Sequence, residues 1–506
     1  MSTLVRRHPS GARPGAVRGL SAVAAGVAVA LVTAGCSGDD DVALTDPTDP
    51  PAVAHSYVSR PDLTPPVMRT TVGSLPHDPA DDAAEGNVIA LGPKDEDQQP
   101  AMQGALLVDP TGEPVWVAPM KVGPFDVRVQ QYQGKPVLTY WEGTSSESGS
   151  GAGHVVLLDT GYRKVTAVTT GGDVGAGKAD IHETTITPDD TMLLTAYVPA
   201  RADLTSVGGP KDGWVEEGVA QEVDIATGKV LWEWRSLDHV PVEETYANLA
   251  KGMGTQDKPF DYFHVNAVAL DGSDALLVSA RNTHTVYKVD RATGKVDWHL
   301  GGKQNEFVQG AQFAWQHDIR LQDDGTFTLF DNEGSPRVGP TSRGLRLTVD
   351  EKAMTTSMVA QYLPPTARHS DTQGNVQVLP DGNVLVGWGQ RPYLTEYDGG
   401  GTLIGELSFS SGSSYRAYRE TWHATPADPP DVVVQGDTVH VSWNGATDVA
   451  SWRVVTGADA ASAKPVATSA KKGFETTLHA SGLGAYVAVQ ALDADGAVVG
   501  TGTPAA

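Results

Sequence analysis

The sequence is poor in cysteine and in basic residues, and each shortage excludes a class of protein. Its 506 residues include one cysteine, Cys36, so the chain cannot form an internal disulfide and is not a disulfide-stabilised scaffold. Lysine and arginine number 37 against 62 aspartates and glutamates, which gives a formal net charge of -25. Without an excess of positive charge to neutralise phosphates, the chain is not suited to binding nucleic acid.

Long apolar runs are also scarce, and the one exception lies near the N-terminus. Residues 20–35 are almost entirely small and apolar, follow a region with four arginines, and end at Cys36. This pattern is typical of an export signal and is short for a membrane span. It resembles a bacterial lipoprotein signal, although Thr33 stands where leucine is usual. We therefore expect residues 1–35 to be a lipoprotein-type signal peptide, with an ordinary secretory signal as the alternative.

This signal predicts where the protein resides. If Cys36 is lipidated, the protein is extracytoplasmic and anchored to the outer face of the cell membrane. The segment that follows is rich in aspartate and proline, as at 39–41 and 46–51. Such a composition cannot bury a core, so we expect residues 36–85 to be a disordered tether and lead-in.

The main body of the chain repeats a strand, a turn that begins with aspartate, and a second strand that often contains tryptophan. The clearest copies lie at 223–232 and 289–298, and both contain Asp-x-Ala-Thr-Gly-Lys-Val. The aspartates of the six copies are Asp109, Asp159, Asp224, Asp290, Asp350 and Asp398. Apolar hairpins with two-residue turns precede the later copies, so each repeat predicts a four-stranded antiparallel sheet.

Six such sheets repeated radially describe a six-bladed β-propeller, which we assign to residues 86–425. No capped helical pattern interrupts this region, so the predicted fold class is all-β. After a proline-rich junction the pattern changes to short strands around Trp443 and Trp452. We expect residues 430–506 to form a small fibronectin type III-like β-sandwich.

Three histidines share one position relative to the hairpin turns. His182, His264 and His317 each lie seven residues before the aspartate of a turn. Equivalent positions on different blades converge on the central channel, so we expect the three imidazoles to share one site. The structural alternative is that each histidine ties a loop to its own blade.

Arg281 decides which ligand these imidazoles suit. Three neutral imidazoles can hold zinc, but Arg281 follows the apolar strand of the repeat that contains His264. A guanidinium is unfavourable beside a divalent cation, whereas its fork of donors suits a tetrahedral oxyanion. We therefore predict an anion site with no metal and no cofactor. The indole rings of Trp298, Trp315 and Trp388 either line the channel or, as the simpler interpretation has it, fill gaps between blades.

At these residues the sequence resembles the bacterial arylsulfotransferase family, also called aryl-sulfate sulfotransferases. The similarity extends over 181–397. The segments that carry it are 264–266 (His-Val-Asn), 279–281 (Ser-Ala-Arg), 293–298, 316–318 (Gln-His-Asp), 331–332, 374–377 and 382–388.

The resemblance implies an enzyme that moves a sulfuryl group from a phenolic sulfate ester to a phenol or other hydroxyl acceptor, without the nucleotide donor PAPS. It implies that His317 becomes transiently sulfated and that His264, Arg281 and His182 are further catalytic residues. It also implies that Asn266 binds substrate. The partners are then the donor, the acceptor and, through Cys36, a membrane.

Two other functions fit parts of the sequence. The main alternative is a non-catalytic propeller that binds an anionic ligand at the mouth of its channel. A quinoprotein-like dehydrogenase is disfavoured, because the repeat is sixfold and no calcium-binding cluster is evident.

Overall fold

The computed structural model describes residues 53–76, 86–94, 103–146, 149–334, 336–409 and 412–504. The expected signal peptide and Cys36 lie outside these residues. Within them the secondary structure consists of β-strands and four short 3₁₀ helices, so the predicted all-β class is confirmed. No helix in the described part of the chain has the length and apolar character needed to cross a membrane.

Strands between 68 and 421 form six antiparallel sheets, numbered I to VI. β1 (Met68–Gly73) belongs to sheet VI. Sheet I contains β2 (Asn87–Lys94), β3 (Gly104–Val108), β4 (Pro114–Pro119) and β25 (Ser413–Thr421). Sheet II contains β5 (Phe125–Tyr132), β6 (Lys135–Ser145), β7 (Gly151–Leu158) and β8 (Lys164–Val168). Sheet III contains β9 (Thr184–Ile186), β10 (Thr191–Ala202), β11 (Gly213–Asp224) and β12 (Val230–Arg235).

The other three sheets follow the same order. Sheet IV contains β13 (Val265–Asp271), β14 (Ala275–Ala280), β15 (Thr285–Asp290) and β16 (Val296–Gly301). Sheet V contains β17 (His317–Leu321), β18 (Phe327–Asp331), β19 (Arg343–Asp350) and β20 (Thr355–Tyr362). Sheet VI contains β21 (Asn375–Val378), β22 (Val384–Gly387), β23 (Tyr393–Tyr397) and β24 (Leu403–Phe409), with β1 as a fifth strand.

The six sheets pack against one another in a closed ring. Alternate residues of a strand point to opposite faces of its sheet. In β2, Val88 and Ala90 therefore pack against sheet II, while Ile89 and Leu91 pack against sheet VI. Four further apolar clusters join sheets II to III, III to IV, IV to V and V to VI. Because β25 pairs with β2, strands from both ends of this region complete sheet I.

The predicted repeat is present once in each sheet, as the turn between its third and fourth strands. Asp290 Oδ1 accepts hydrogen bonds from Thr293 N at 2.7 Å and Thr293 Oγ1 at 2.6 Å. Gly294 then adopts a φ of 71°, which glycine accommodates without strain. The other five aspartates predicted from the sequence cap their turns in the same way.

The expected disorder of residues 36–85 is wrong for residues 53–76. β1 contains the β-branched residues Thr70, Thr71 and Val72, and it pairs with the exposed edge of β24. Upstream of β1, the Tyr57 ring packs on the Phe474 ring with centroids 4.5 Å apart. Composition alone could not reveal these contacts, because their partners lie hundreds of residues away.

The last strands form two further antiparallel sheets around a shared apolar cluster that includes Trp443 and Trp452. The three-stranded sheet contains β26 (Asp431–Gln435), β27 (Thr438–Ser442) and β30 (Glu475–His479). The four-stranded sheet contains β28 (Ser451–Gly457), β29 (Lys464–Ala470), β31 (Tyr486–Leu492) and β32 (Val498–Gly502). The Asn444 amide exchanges two hydrogen bonds with the backbone of Val117, so this C-terminal unit is held against sheet I.

Candidate active site

The candidate site is built where the first strands of sheets III, IV and V begin. His182 lies two residues before β9, His264 directly precedes β13, and His317 is the first residue of β17. The pairing register shifts at the start of β13 and of β17, and such bulges redirect side chains. His264 and Trp315 also have φ values of 55° and 59°, a strained backbone that the surrounding contacts must hold.

The structure brings the three predicted histidines together. The ring centroid of His182 lies 4.9 Å from that of His264 and 6.4 Å from that of His317. All three side chains are buried. Tyr197 lies beside two of them, with its ring centroid 6.0 Å from that of His182 and 5.6 Å from that of His264.

Arg281 reaches the same site directly after β14. Its backbone N–H donates to the His264 carbonyl at 2.9 Å. Among the described residues, its guanidinium makes one hydrogen bond, from Nε to Asn282 Oδ1 at 3.0 Å, and its Nη2 lies 3.9 Å from Asp261 Oδ2. The two terminal nitrogens therefore remain able to donate to the oxygens of a bound anion.

Two of the imidazoles have carboxylate partners. His264 Nδ1 lies 2.5 Å from Asp261 Oδ2, and His182 Nδ1 contacts Asp180 Oδ2 at very short range. A carboxylate accepts a hydrogen bond from Nδ1–H and so holds the ring proton on Nδ1. The other ring nitrogen, Nε2, then has its lone pair directed to a ligand. Such a partner also stabilises the imidazolium ion if Nε2 takes up a proton.

The partner of His317 is neutral. Its Nδ1 lies 2.7 Å from Asn332 Oδ1 and 3.1 Å from the Trp315 carbonyl. Asn332 Nδ2 donates to the carbonyls of Ser370 and Gln373 at 2.7 and 3.0 Å, so the amide oxygen must be the atom that faces His317. The proton of neutral His317 is therefore on Nδ1. Its lone pair is on Nε2, which accepts the Gln373 N–H at 3.2 Å.

Burial and Arg281 keep His264 and His317 uncharged. Burial lowers the pKa of His264 to about 4, and the charge of Arg281 contributes in the same direction. The same two causes hold the pKa of His317 well below its usual value. A neutral imidazole is a nucleophile, and an anion bound at Arg281 would offset the charge that disfavours protonation of His264.

A cavity of about 270 Å³ opens beside Arg281 and Asp261. Its other walls are mainly aromatic and apolar, with Tyr246, Trp315, Phe260, Met253 and Pro336 among the lining residues. Trp315 thus lines a cavity, as one of the two interpretations of the sequence allowed. Trp298 and Trp388 instead belong to the clusters between sheets IV and V and between sheets V and VI.

Asn266 is close to the histidines, but its amide nitrogen is already bonded. Nδ2 donates to the Gln316 carbonyl at 2.6 Å, which links β13 to the residue before His317. Asn266 Oδ1 is buried without a partner among the described residues. The contacts of Asn266 support a role in positioning the segment at His317. That Asn266 also binds substrate remains a prediction.

A layer of buried charged residues lies beneath the imidazoles. It consists of the acids Asp126, Glu183 and Asp318 and the arginines Arg128, Arg320 and Arg416. Arg416 Nη2 also donates to the His182 carbonyl at 3.0 Å, so this layer supports the site from below. Glu183 and Asp318, the residues after two of the histidines, accept backbone N–H groups from the following sheet.

Reasoning from the sequence missed Asp180, Asp261 and Tyr197, and it gave Asn332 no role although segment 331–332 carries part of the family resemblance. The two aspartates precede their histidines by two and three residues, so a search upstream of each histidine would have found them. Asn332 lies at the end of the neighbouring strand and Tyr197 on a different sheet from His264. No fixed spacing in the sequence reveals either one.

The model of the family described as Arylsulfotransferase matches residues 128–410, more than half of the chain, and this span contains all three histidines and Arg281. The chain belongs to the arylsulfotransferase family. No protein with a curated description matches it.

Solved structures similar to this chain share little sequence with it. A protein of unknown function from Bacteroides caccae has 11% identity and a TM-score of 0.41, over 66% of this chain and 98% of that one. A catalytically inactive virginiamycin B lyase from Staphylococcus aureus has 9% identity and a TM-score of 0.32, over 75% and 96%. The WD40 β-propeller domain of Doa1 has 10% identity and a TM-score of 0.32, over 63% and 75%.

Proposed function

We propose that this protein transfers a sulfuryl group from a phenolic sulfate ester to a phenol or other hydroxyl acceptor through a sulfohistidine at His317, without PAPS or another cofactor. One observation carries the proposal. A buried, neutral imidazole with its proton held on Nδ1 lies in one site with an arginine whose terminal nitrogens make no hydrogen bond to the described residues.

In the first half-reaction Arg281 holds the sulfate oxygens of the donor, and Nε2 of His317 attacks sulfur. The sulfur–oxygen bond to the aryl group breaks as the nitrogen–sulfur bond forms, and the phenolate leaves with the electron pair. The weak bond from Gln373 N–H to Nε2 must be lost as sulfur approaches. His264 takes up a proton from water at Nε2 when the anionic donor binds at Arg281, and Asp261 stabilises the resulting imidazolium ion. That proton then neutralises the departing phenolate.

The second half-reaction reverses these steps with a new hydroxyl group. Asn332 is a neutral acceptor and does not remove the Nδ1 proton, so the sulfated ring stays cationic. A cationic ring is a good leaving group, which keeps the nitrogen–sulfur bond reactive. Neutral His264 takes the proton of the acceptor as its oxygen attacks sulfur, and His317 returns to its starting form.

The cavity beside Arg281 suits the aryl group of either substrate. Its volume of about 270 Å³ and its aromatic walls fit a single substituted ring with the sulfate directed at Arg281. His182, paired with Asp180, is then the second imidazole able to exchange protons at the reacting oxygen.

The same proposal includes the architecture and the location of the protein. The ring of six sheets is interpreted as a six-bladed β-propeller, with residues 430–506 as a fibronectin type III-like sandwich. Lipidation of Cys36 would anchor the protein outside the cytoplasm, and the intact mass of the membrane-extracted protein tests this modification.

The reaction is tested with p-nitrophenyl sulfate as donor, with and without phenol, while p-nitrophenolate release is followed. We expect release that depends on phenol, persists in EDTA and shows ping-pong kinetics. His317→Ala should abolish turnover. His154→Ala, which alters a partly exposed histidine paired with Glu142 on sheet II, should not. Tight sulfate binding without any release would favour the non-catalytic anion-binding alternative instead.

A further inference from the structure

A second cavity, of about 610 Å³, is lined in part by the charged layer and by none of the three histidines. Its walls come from five of the strands nearest the centre of the ring: β5, β9, β17, β21 and β25. Asp318, Arg128 and Arg320 belong both to the cavity wall and to the buried layer. The layer therefore contacts both this cavity and, through Arg416, the backbone of His182.

Most polar groups in the cavity wall already have partners. Gln130 donates to the Thr184 carbonyl at 2.9 Å and accepts the Ile186 N–H at 2.7 Å. Gln377 makes the equivalent pair of bonds with the backbone of Arg419. Arg320 Nη2 lies 2.8 Å from Asp318 and 2.9 Å from Glu183. These groups join neighbouring strands and leave little capacity for a ligand.

Glu420, on β25, has no such partner. Its carboxyl group makes no hydrogen bond and no ion pair with any described residue, and the residue is half-buried in the cavity wall. Nε of Arg128 also makes no hydrogen bond among the described residues, but it lies 3.7 Å from Asp126 Oδ2. Burial raises its pKa to about 8, against an opposing effect of Arg128. Since a partly desolvated carboxylate without a partner is costly, this group is a candidate for pairing with a ligand.

The charges around Glu420 indicate the sign of that ligand. The other titratable groups that face the cavity are Arg128 on β5, Asp318 and Arg320 on β17, and Tyr418 on β25; β9 and β21 contribute none. The three arginines of the buried layer are matched by its three acids, so an ionised Glu420 adds one uncompensated negative charge. We propose that this cavity binds a small organic cation, an ammonium or guanidinium compound, with Glu420 as its carboxylate partner.

The protonation of Glu420 gives this binding a distinctive pH dependence. With a pKa of about 8, roughly a tenth of the group is ionised at pH 7 and roughly nine-tenths at pH 9. A cation that binds only the ionised form should therefore bind about tenfold more tightly at pH 9 than at pH 7. Binding at pH 7 should also release a proton to the buffer.

The test is isothermal titration calorimetry of the full chain with benzylammonium, n-butylammonium and agmatine, in two buffers of different ionisation enthalpy. Benzyl alcohol and benzoate are the neutral and anionic probes of matching shape. We expect one saturable site for at least one cation, proton release at pH 7, and no binding of the other two probes. Glu420→Gln should remove the site and leave the release of p-nitrophenolate unchanged.

The matched control is Glu142→Gln, which removes an exposed carboxylate on sheet II and so tests for general attraction to a protein of net charge -25. Saturable binding should survive this substitution. Failure of all three cations to bind, or equal binding by the Glu420→Gln variant, would overturn the proposal. Neither result bears on sulfuryl transfer, because that reaction is measured separately.

Discussion

Nδ1 of His317 donates a hydrogen bond to the amide oxygen of Asn332 at 2.7 Å. The other two imidazoles of the site direct the same nitrogen to carboxylates, those of Asp261 and Asp180. A neutral acceptor fixes the position of the proton without favouring an imidazolium ion, whereas a carboxylate does both. The contrast supports a nucleophilic role for His317 and a proton-transfer role for His264 and His182.

Substitution of Asn332 tests this division. Asn332→Asp should raise the pKa of His317, because a carboxylate stabilises the imidazolium ion, so the acid limb of the kcat/KM profile should move to higher pH. Opposite charges at this distance shift a pKa by roughly 1 to 3 units. Asn332→Ala should lower kcat by roughly ten- to a hundredfold, the cost of one hydrogen bond to a group that becomes charged.

Asn375→Asp is the matched control, since Asn375 is equally buried but bonds only the backbone of Ala417. This variant should keep the pH profile of the natural protein. A profile that moves equally in both variants would show that Asn332 acts only on the fold.

Asp261→Asn should affect poor leaving groups most. Without the carboxylate, the imidazolium form of His264 is less stable, so protonation of the departing phenolate becomes harder. p-Nitrophenolate is a weak base and needs little protonation, whereas phenolate is a stronger base. We therefore expect kcat to fall much further with phenyl sulfate than with p-nitrophenyl sulfate. Equal losses for the two donors would contradict the assigned role of His264.

Arg281→Ala should lower kcat/KM by roughly a hundred- to a thousandfold, as expected for loss of a donor to developing negative charge. The pH profile gives a second readout. Burial and Arg281 both lower the pKa values of His264 and His317, so removing the arginine should raise them and move the acid limb to higher pH. Arg281→Lys keeps the charge and should retain more activity with a smaller shift. An unchanged acid limb in Arg281→Ala would contradict this electrostatic account.

Tyr246→Ala tests the aryl cavity. Tyr246 is 40% exposed, so its removal should leave the fold intact. Loss of one aromatic wall should raise KM for aryl sulfates by roughly two- to tenfold with little change in kcat. Tyr140→Ala, on sheet II outside the cavity wall, is the control. Equal KM values for the two variants would exclude this cavity as the aryl site.

Much of the fold could be predicted because the repeat is local. Each turn aspartate accepts hydrogen bonds from residues two to four positions further on, so the pattern survives in the sequence as Asp-x-Ala-Thr-Gly and its variants. The position of the three histidines was predictable for the same reason, since each lies at a fixed distance from a hairpin turn.

The contacts that tune the site could not be predicted in this way. Asn332 reaches His317 from the neighbouring strand, and Arg416 contacts the His182 carbonyl from a strand that closes the ring. Order in residues 53–76 likewise depends on β24 and Phe474, which are distant in sequence. Such long-range pairs leave no periodic signal in a single chain.

The central claim is that His317 carries the sulfuryl group, and the mass of a trapped intermediate tests it most directly. The protein is mixed with p-nitrophenyl sulfate without acceptor, quenched at alkaline pH, digested and analysed by mass spectrometry. We expect the peptide that contains His317 to gain the mass of one sulfuryl group, and to lose it when phenol is added before the quench. A sulfuryl group on His182 or His264, or none in a protein that turns over, would contradict the account.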